Sequence, residues 1–210
     1  MTDRNPRSMV LAADYCVSDI DHMLSLIGAH MPHLMNIGAH HVVVYRSIWE
    51  PGRILVTIGI RYRESVKQIL ASAAVFELFD NVGVTDIPAV FVGEVVEKFD
   101  LREAGGSNSP PGIVVGAFAP VNDLTVLMAQ VSCGLDRFAR AGCRQLWVYR
   151  ALDTAREVMI LQDVDNEAVA RRWISRPDAA AEWISAAGFG AYPTVFVGAL
   201  ASSTPIGRTG

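Results

Sequence analysis

The sequence predicts an α+β protein made of two tandem copies of one βαββαβ unit, and three observations predict it. First, Val44-Tyr45-Arg46 returns 104 residues later as Val148-Tyr149-Arg150. The same shift places Val10 on Val114, Ala13 on Ala117, Val17 on Val121, Asp19 on Asp123 and Gly38 on Gly142. Second, one further residue of slip, expected near the Trp49-Glu50-Pro51-Gly52 turn, places Gly83 on Gly188. It also puts Pro88-Ala89-Val90-Phe91-Val92-Gly93 on Pro193-Thr194-Val195-Phe196-Val197-Gly198. Third, within each copy short β-branched apolar runs alternate with stretches of helical periodicity.

The elements follow in order. An apolar run over 8–13 reads as a first strand, and Ser18 or Asp19 is placed to cap the helix after it. Ile20, Met23, Leu24, Ile27, Met31, Leu34 and Met35 recur at helical spacing and form one apolar stripe. Pro32 lacks a backbone donor and crowds the preceding turn, so a kink or restart is expected around 28–32, and Gly38 ends the helix. Runs over 40–47 and 53–62 read as strands joined by the Glu50-Pro51-Gly52 turn, apolar on both faces. A second helix is expected over 64–80, with Val66, Ile69, Leu70, Ala73 and Phe76 inward, and a fourth strand over 88–96. In the second copy the strands fall at 113–119, 144–151, 156–164 and 194–200. Its helices fall at 122–141 and 166–187, the latter interrupted at Ser175-Arg176-Pro177-Asp178. The copies are bounded at 8–100 and 112–201, with a Gly/Ser/Pro-rich linker over 101–111.

Composition narrows the partners. The chain is 51% hydrophobic and 19% charged, against about a quarter charged in an average domain, so much surface must be buried between the copies or between chains. A net charge of −4 without a Lys/Arg stripe argues against nucleic acid. The apolar run at Met9–Ala13 is too short for a signal-peptide core or a membrane span, which points to a cytoplasmic protein without a membrane partner. Cys16, Cys133 and Cys143 are an odd number without metal-type spacing and read as free thiols in a reducing compartment. No phosphate-binding loop, dinucleotide fingerprint, nucleophile elbow or HExxH motif occurs, so no cofactor and no metal are expected.

The residues that can carry chemistry are unevenly divided. All five histidines, His22, His30, His33, His40 and His41, lie in the first 41 residues, where the second copy has Val126, Gly134, Arg137, Arg144 and Gln145. Strand alternation predicts that His40 and His41 point to opposite faces. His30 and His33 with one of those two are candidates for acid/base or metal chemistry, because imidazole titrates near neutrality and ligates metals. The bland alternative is that they are exposed or helix-end histidines. The Tyr45-Arg46 pair and its repeat Tyr149-Arg150 lie mid-sheet, where an arginine is costly unless paired. They either orient an anionic or enolic substrate or bridge a carboxylate such as Glu94 or Asp163.

A βαββαβ unit is the ferredoxin-like arrangement, a four-stranded antiparallel sheet with two helices on one face. Strands apolar on both sides need cover on the second face, and the other copy supplies it most simply. The chain thus resembles the dimeric α+β barrel superfamily in element order and repeat over 9–200. That resemblance implies two ferredoxin-like units in tandem, their sheets packed face to face as a pseudo-dimeric α+β barrel. The superfamily includes cofactor-independent monooxygenases, isomerases, haem-degrading enzymes and chlorite dismutase-like haem proteins. These last hold haem through a histidine of their second unit, whereas the second copy here contains none. The resemblance implies a small apolar or aromatic ligand between helices and sheet of the first copy, with His30, His33, Tyr45 and Arg46 as catalytic candidates. A non-catalytic scaffold whose duplication only completes the fold, with homo-oligomeric contacts, stays open beside it.

Overall fold

The computed structural model describes residues 9–36, 38–61, 84, 87–102, 112–174 and 194–206. Its elements are β1 (Met9–Cys16), α1 (Ile20–Asn36), β2 (Ala39–Ser47), β3 (Arg53–Ile60), β4 (Ala89–Asp100) and β5 (Ile113–Pro120), then α2 (Leu124–Cys133), α3 (Leu135–Arg140), β6 (Cys143–Ala151), β7 (Glu157–Val164), α4 (Glu167–Ile174) and β8 (Thr194–Pro205). The expected second helix of the first copy, the Ser175–Asp178 break and the linker after 102 lie outside the described residues.

The chain divides into two compact units, one comprising Met1–Glu94 with Leu200–Gly210, the other Val95–Ala199. In unit 1 the strands neighbour one another in the order β4, β1, β3, β2, β8, and in unit 2 in the order β8, β5, β7, β6, β4. Both β4 and β8 are 12 residues long, enough for each to pair in one unit with its first half and in the other with its second. The units therefore change over inside strands, at Glu94/Val95 and Ala199/Leu200, whereas the repeat alone points to boundaries near 100 and 112.

Strand registers repeat with the sequence. Met9 pairs with Ile60 in unit 1 and Ile113 with Val164 in unit 2, so the 104-residue shift still holds at the ends of β3 and β7. Ala12 pairs with Phe91 and Gly116 with Phe196, a shift of 105 for β4 and β8. The extra residue is thus accommodated between Ile60 and Ala89, not at the Trp49–Gly52 turn where the sequence reading put it. A tight hairpin fixes the register of both its strands, so it is the worst place for an insertion.

Helix α1 starts as the sequence predicts, while those of unit 2 start one or two residues later than expected, at Leu124 and Glu167. Asp19 accepts from the His22 amide at 2.9 Å, and Asp123 accepts from the Thr125 amide at 2.7 Å, capping α1 and α2 in the same way. The expected restart near Pro32 does not occur, because α1 continues through it to Asn36. Proline deletes only the one bond its own amide would make, to the carbonyl of Gly28, and the four residues after it stay helical. The interruption falls in unit 2, where Gly134 caps both α2 and α3.

In unit 2, Leu127 and Val131 of α2 and Phe138 of α3 pack on Leu146 and Val148 of β6 and Val158 and Ile160 of β7. Full burial of each such side chain contributes about 1.5–3 kcal/mol. The residues 104 positions earlier on the sheet of unit 1 are Val42, Val44, Ile54 and Val56, all buried, as are Met23, Ile27 and Leu34 of α1. The alternate face is buried too, through Val43, Tyr45, Leu55 and Phe91 in unit 1 and Tyr149, Met159, Leu161 and Phe196 in unit 2.

Candidate functional site

The four catalytic candidates do not share one surface. His30 is half-buried on α1, and its Nδ1 donates to the Leu26 carbonyl at 2.8 Å. Since a carbonyl only accepts, this bond places a proton on Nδ1, and Nε2 is the ring nitrogen outside the bond. His33, three residues on, is exposed. Tyr45 is 3% exposed while Arg46 is exposed. The pairing of β2 with β3 is regular from His41 to Arg46, so consecutive side chains there alternate between faces. Arg46 leaves β2 on the side of Val42 and Val44, whose counterpart Val148 packs on helices in unit 2, and Tyr45 leaves it on the side of His41 and Val43.

The structure brings together a different pair. Ala39 pairs with Ile60 and His41 with Gly59, leaving His40 as the extra residue of a β-bulge. The His40 ring lies over Gly59, its Cε1 and Nε2 at 2.7 and 2.8 Å from where a Cβ would stand. Alternation predicted opposite faces for His40 and His41. The bulge overturns this, because two residues of β2 oppose one residue of β3 and both present their side chains there. His41 Nε2 is hydrogen-bonded to Ser203 Oγ at 2.9 Å, and the Ile206 amide donates to the His40 carbonyl at 2.8 Å. Burial lowers the pKa of both imidazoles, and for His40 the charge of Arg61 and then His41 adds to the effect.

Unit 2 has the same bulge with other residues. Cys143 pairs with Val164 and Gln145 with Asp163, so Arg144 stands out as His40 does. The Leu101 amide donates to the Arg144 carbonyl at 2.9 Å, matching Ile206 on His40. Here the side chains pair with carboxylates of the same unit. Arg144 Nη2 donates to Asp163 Oδ1 at 2.9 Å, with Asp165 at 3.6 Å from Nε. Gln145 donates to Asp100 at 3.1 Å, and Asp100 in turn is bound by Arg102, which holds its carboxyl well below the usual range. Asp163, one of the carboxylates expected to partner the mid-sheet arginines, is paired with Arg144.

Sequence reasoning passed over one further pair. Arg53 forms a two-pronged bridge to Asp14, Nε to Oδ1 at 2.9 Å and Nη2 to Oδ2 at 2.6 Å, and also binds Glu50. Asp14 is 7% exposed, and the repeat-equivalent residues are Phe118 and Glu157, so only unit 1 has this bridge. The signal in the sequence was a carboxylate directly following the apolar run Met9-Val10-Leu11-Ala12-Ala13.

Order of strands and register define ferredoxin-like α+β units. No protein-family model and no curated protein sequence matches the chain. Among solved structures it is similar to an anthrone oxidase-like protein at TM-score 0.73 and 14% identity, over 99% of this chain and 97% of that one. It is also similar to a monooxygenase-like protein from Listeria innocua at TM-score 0.55 and 11% identity, covering 93% and 94% of the two chains. A heme-binding protein from Thermus thermophilus aligns at TM-score 0.55 and 11% identity, over 93% and 92%. At such identities the likeness establishes the fold.

Proposed function

We propose that the chain binds a small apolar or aromatic compound in unit 1 and acts on it as a cofactor-independent monooxygenase or isomerase. The observation that carries this reading is the bond from His30 Nδ1 to the Leu26 carbonyl, which orients the half-buried ring beside the apolar stripe of α1 and leaves Nε2 outside that bond. Such an imidazole is suited to take a proton from an acidic C–H or O–H. The resulting carbanion either takes the proton back from the imidazolium at another atom, an isomerisation, or reacts with dioxygen. In the second case the substrate supplies two electrons, one oxygen atom enters it, and the other leaves as water.

Arg46 is assigned stabilisation of the developing enolate charge, His33 a relay to solvent, and Tyr45 a supporting role from the opposite side of β2. The names of the anthrone oxidase-like and monooxygenase-like neighbours favour oxygenation. A cytoplasmic location and a homo-oligomer belong to the same reading, the latter supported by the exposed apolar Ile87 and Val90.

An oxygen-uptake assay with anthrone-type and quinol substrates tests it. The H30Q variant keeps a donor for Leu26 but cannot take up a proton, and should lose about 10²–10⁴-fold in turnover. Unchanged turnover after replacing both His30 and His33 would remove the assignment.

A further inference from the structure

We propose that the β2 bulge of unit 1 binds the carboxylate of a small organic ligand through His40, His41, Ser203 and Arg61, where unit 2 uses carboxylates of its own. The two bulges are matched in backbone, by register and by the amide that reaches the bulged carbonyl. In unit 2 the bulged Arg144 is met by Asp163 and Asp165. At those two positions unit 1 has Gly59 and Arg61, so two anions are gone and a cation has been added.

Among the described residues Arg61 makes no ion pair, and its charge acts on His40. Glu94, a buried carboxylate of β4, pairs with Met9, which pairs with Ile60, and so leaves the sheet on the face opposite Gly59. Among the described residues, the groups that face His40 are His41 on its own strand, Arg61 after β3, and Ser203 on β8, bound to His41, with no carboxylate beside them. His40, His41 and Ser203 are half-buried and Arg61 is exposed, which leaves the set open to a solute. A carboxylate accepts from several such donors at once, and charge-assisted bonds are the strong ones. This inference does not rest on the monooxygenase reading.

The test is histidine Cε1–Hε1 NMR of the full chain, titrated with benzoate, with inorganic phosphate, and with sodium chloride at matched ionic strength. His22, His30 and His33 serve as internal references. Benzoate should give saturable shifts at His40 and His41 and move both titration midpoints upward, because an anion that prefers the charged rings must raise their pKa values. R61A should weaken binding about tenfold and R61D abolish it, while H41Q, which copies unit 2, should weaken it. Shifts equal to those given by chloride would overturn the proposal. So would undiminished benzoate binding by R61D, or saturation by phosphate alone. Oxygen consumption can be lost or kept independently of these shifts, so the two proposals fail separately.

Discussion

The His40 imidazole occupies the space over Gly59, with its Cε1 2.7 Å from where a Cβ would be. Real Cβ atoms do not tolerate that distance, so glycine at 59 is what allows the bulge to fold its first histidine back onto β3. The G59A variant should therefore be destabilised by about 1–3 kcal/mol through overpacking. Adding H40A should recover most of the loss, read as a double-mutant cycle in urea denaturation. A G59A protein as stable as the parent, with the His40 resonance unmoved, would refute the contact.

The Asp14–Arg53 bridge makes a second, sharper prediction. Removing one partner leaves a buried charge uncompensated, and R53M should cost about 3–5 kcal/mol. The D14L/R53M double variant should be far closer to wild type, since an apolar pair of similar volume replaces the ions. E50Q, at the exposed end of the same arginine, should change stability by less than about 1 kcal/mol. Equal losses for R53M and the double variant would mean that packing, not charge, dominates there.

Stability should depend on pH through His40 and His41. Both have folded pKa values below the ordinary 6.5, so the unfolded chain takes up protons first as pH falls. Their contribution is complete above 6.5, declines as pH drops below it, and is lost once pH has passed the folded values. Burial raises the pKa of Asp163 from 3.8, which works in the opposite sense at its own lower window. The difference in Tm between wild type and an H40N/H41Q variant isolates the histidines. That difference should shrink from pH 7.5 to 5; a flat difference would contradict the burial of these rings.

The three thiols should react in order of exposure. Cys133 is exposed, Cys16 half-buried and Cys143 buried, with burial first among the causes that push its pKa up to about 12. Because the thiolate is the reactive form, Ellman's reagent should label Cys133 first and Cys143 only on unfolding. Early labelling of Cys143 in the folded protein would show that its environment is open.

What the sequence determined by itself was everything that depends on neighbours along the chain. The 104-residue repeat, the apolar runs of the strands, the Asp19 and Asp123 caps, and the turns at Gly38 and Gly142, which take φ of 88° and 89°, are all local in origin. Periodicity and capping are fixed by residues within a few positions, so they can be read without coordinates. Tertiary structure decided what hydrogen bonds between distant segments decide. Only pairing with β3 shows that His40 is an extra residue standing beside His41 rather than behind it. Only the length of β4 and β8 against two successive neighbours gives each unit half of both strands. Asp14 could find Arg53, 39 residues away, only because β1 and β3 lie side by side. A bulge or a shared strand leaves no periodic trace in the chain that forms it, because its cause is the partner strand.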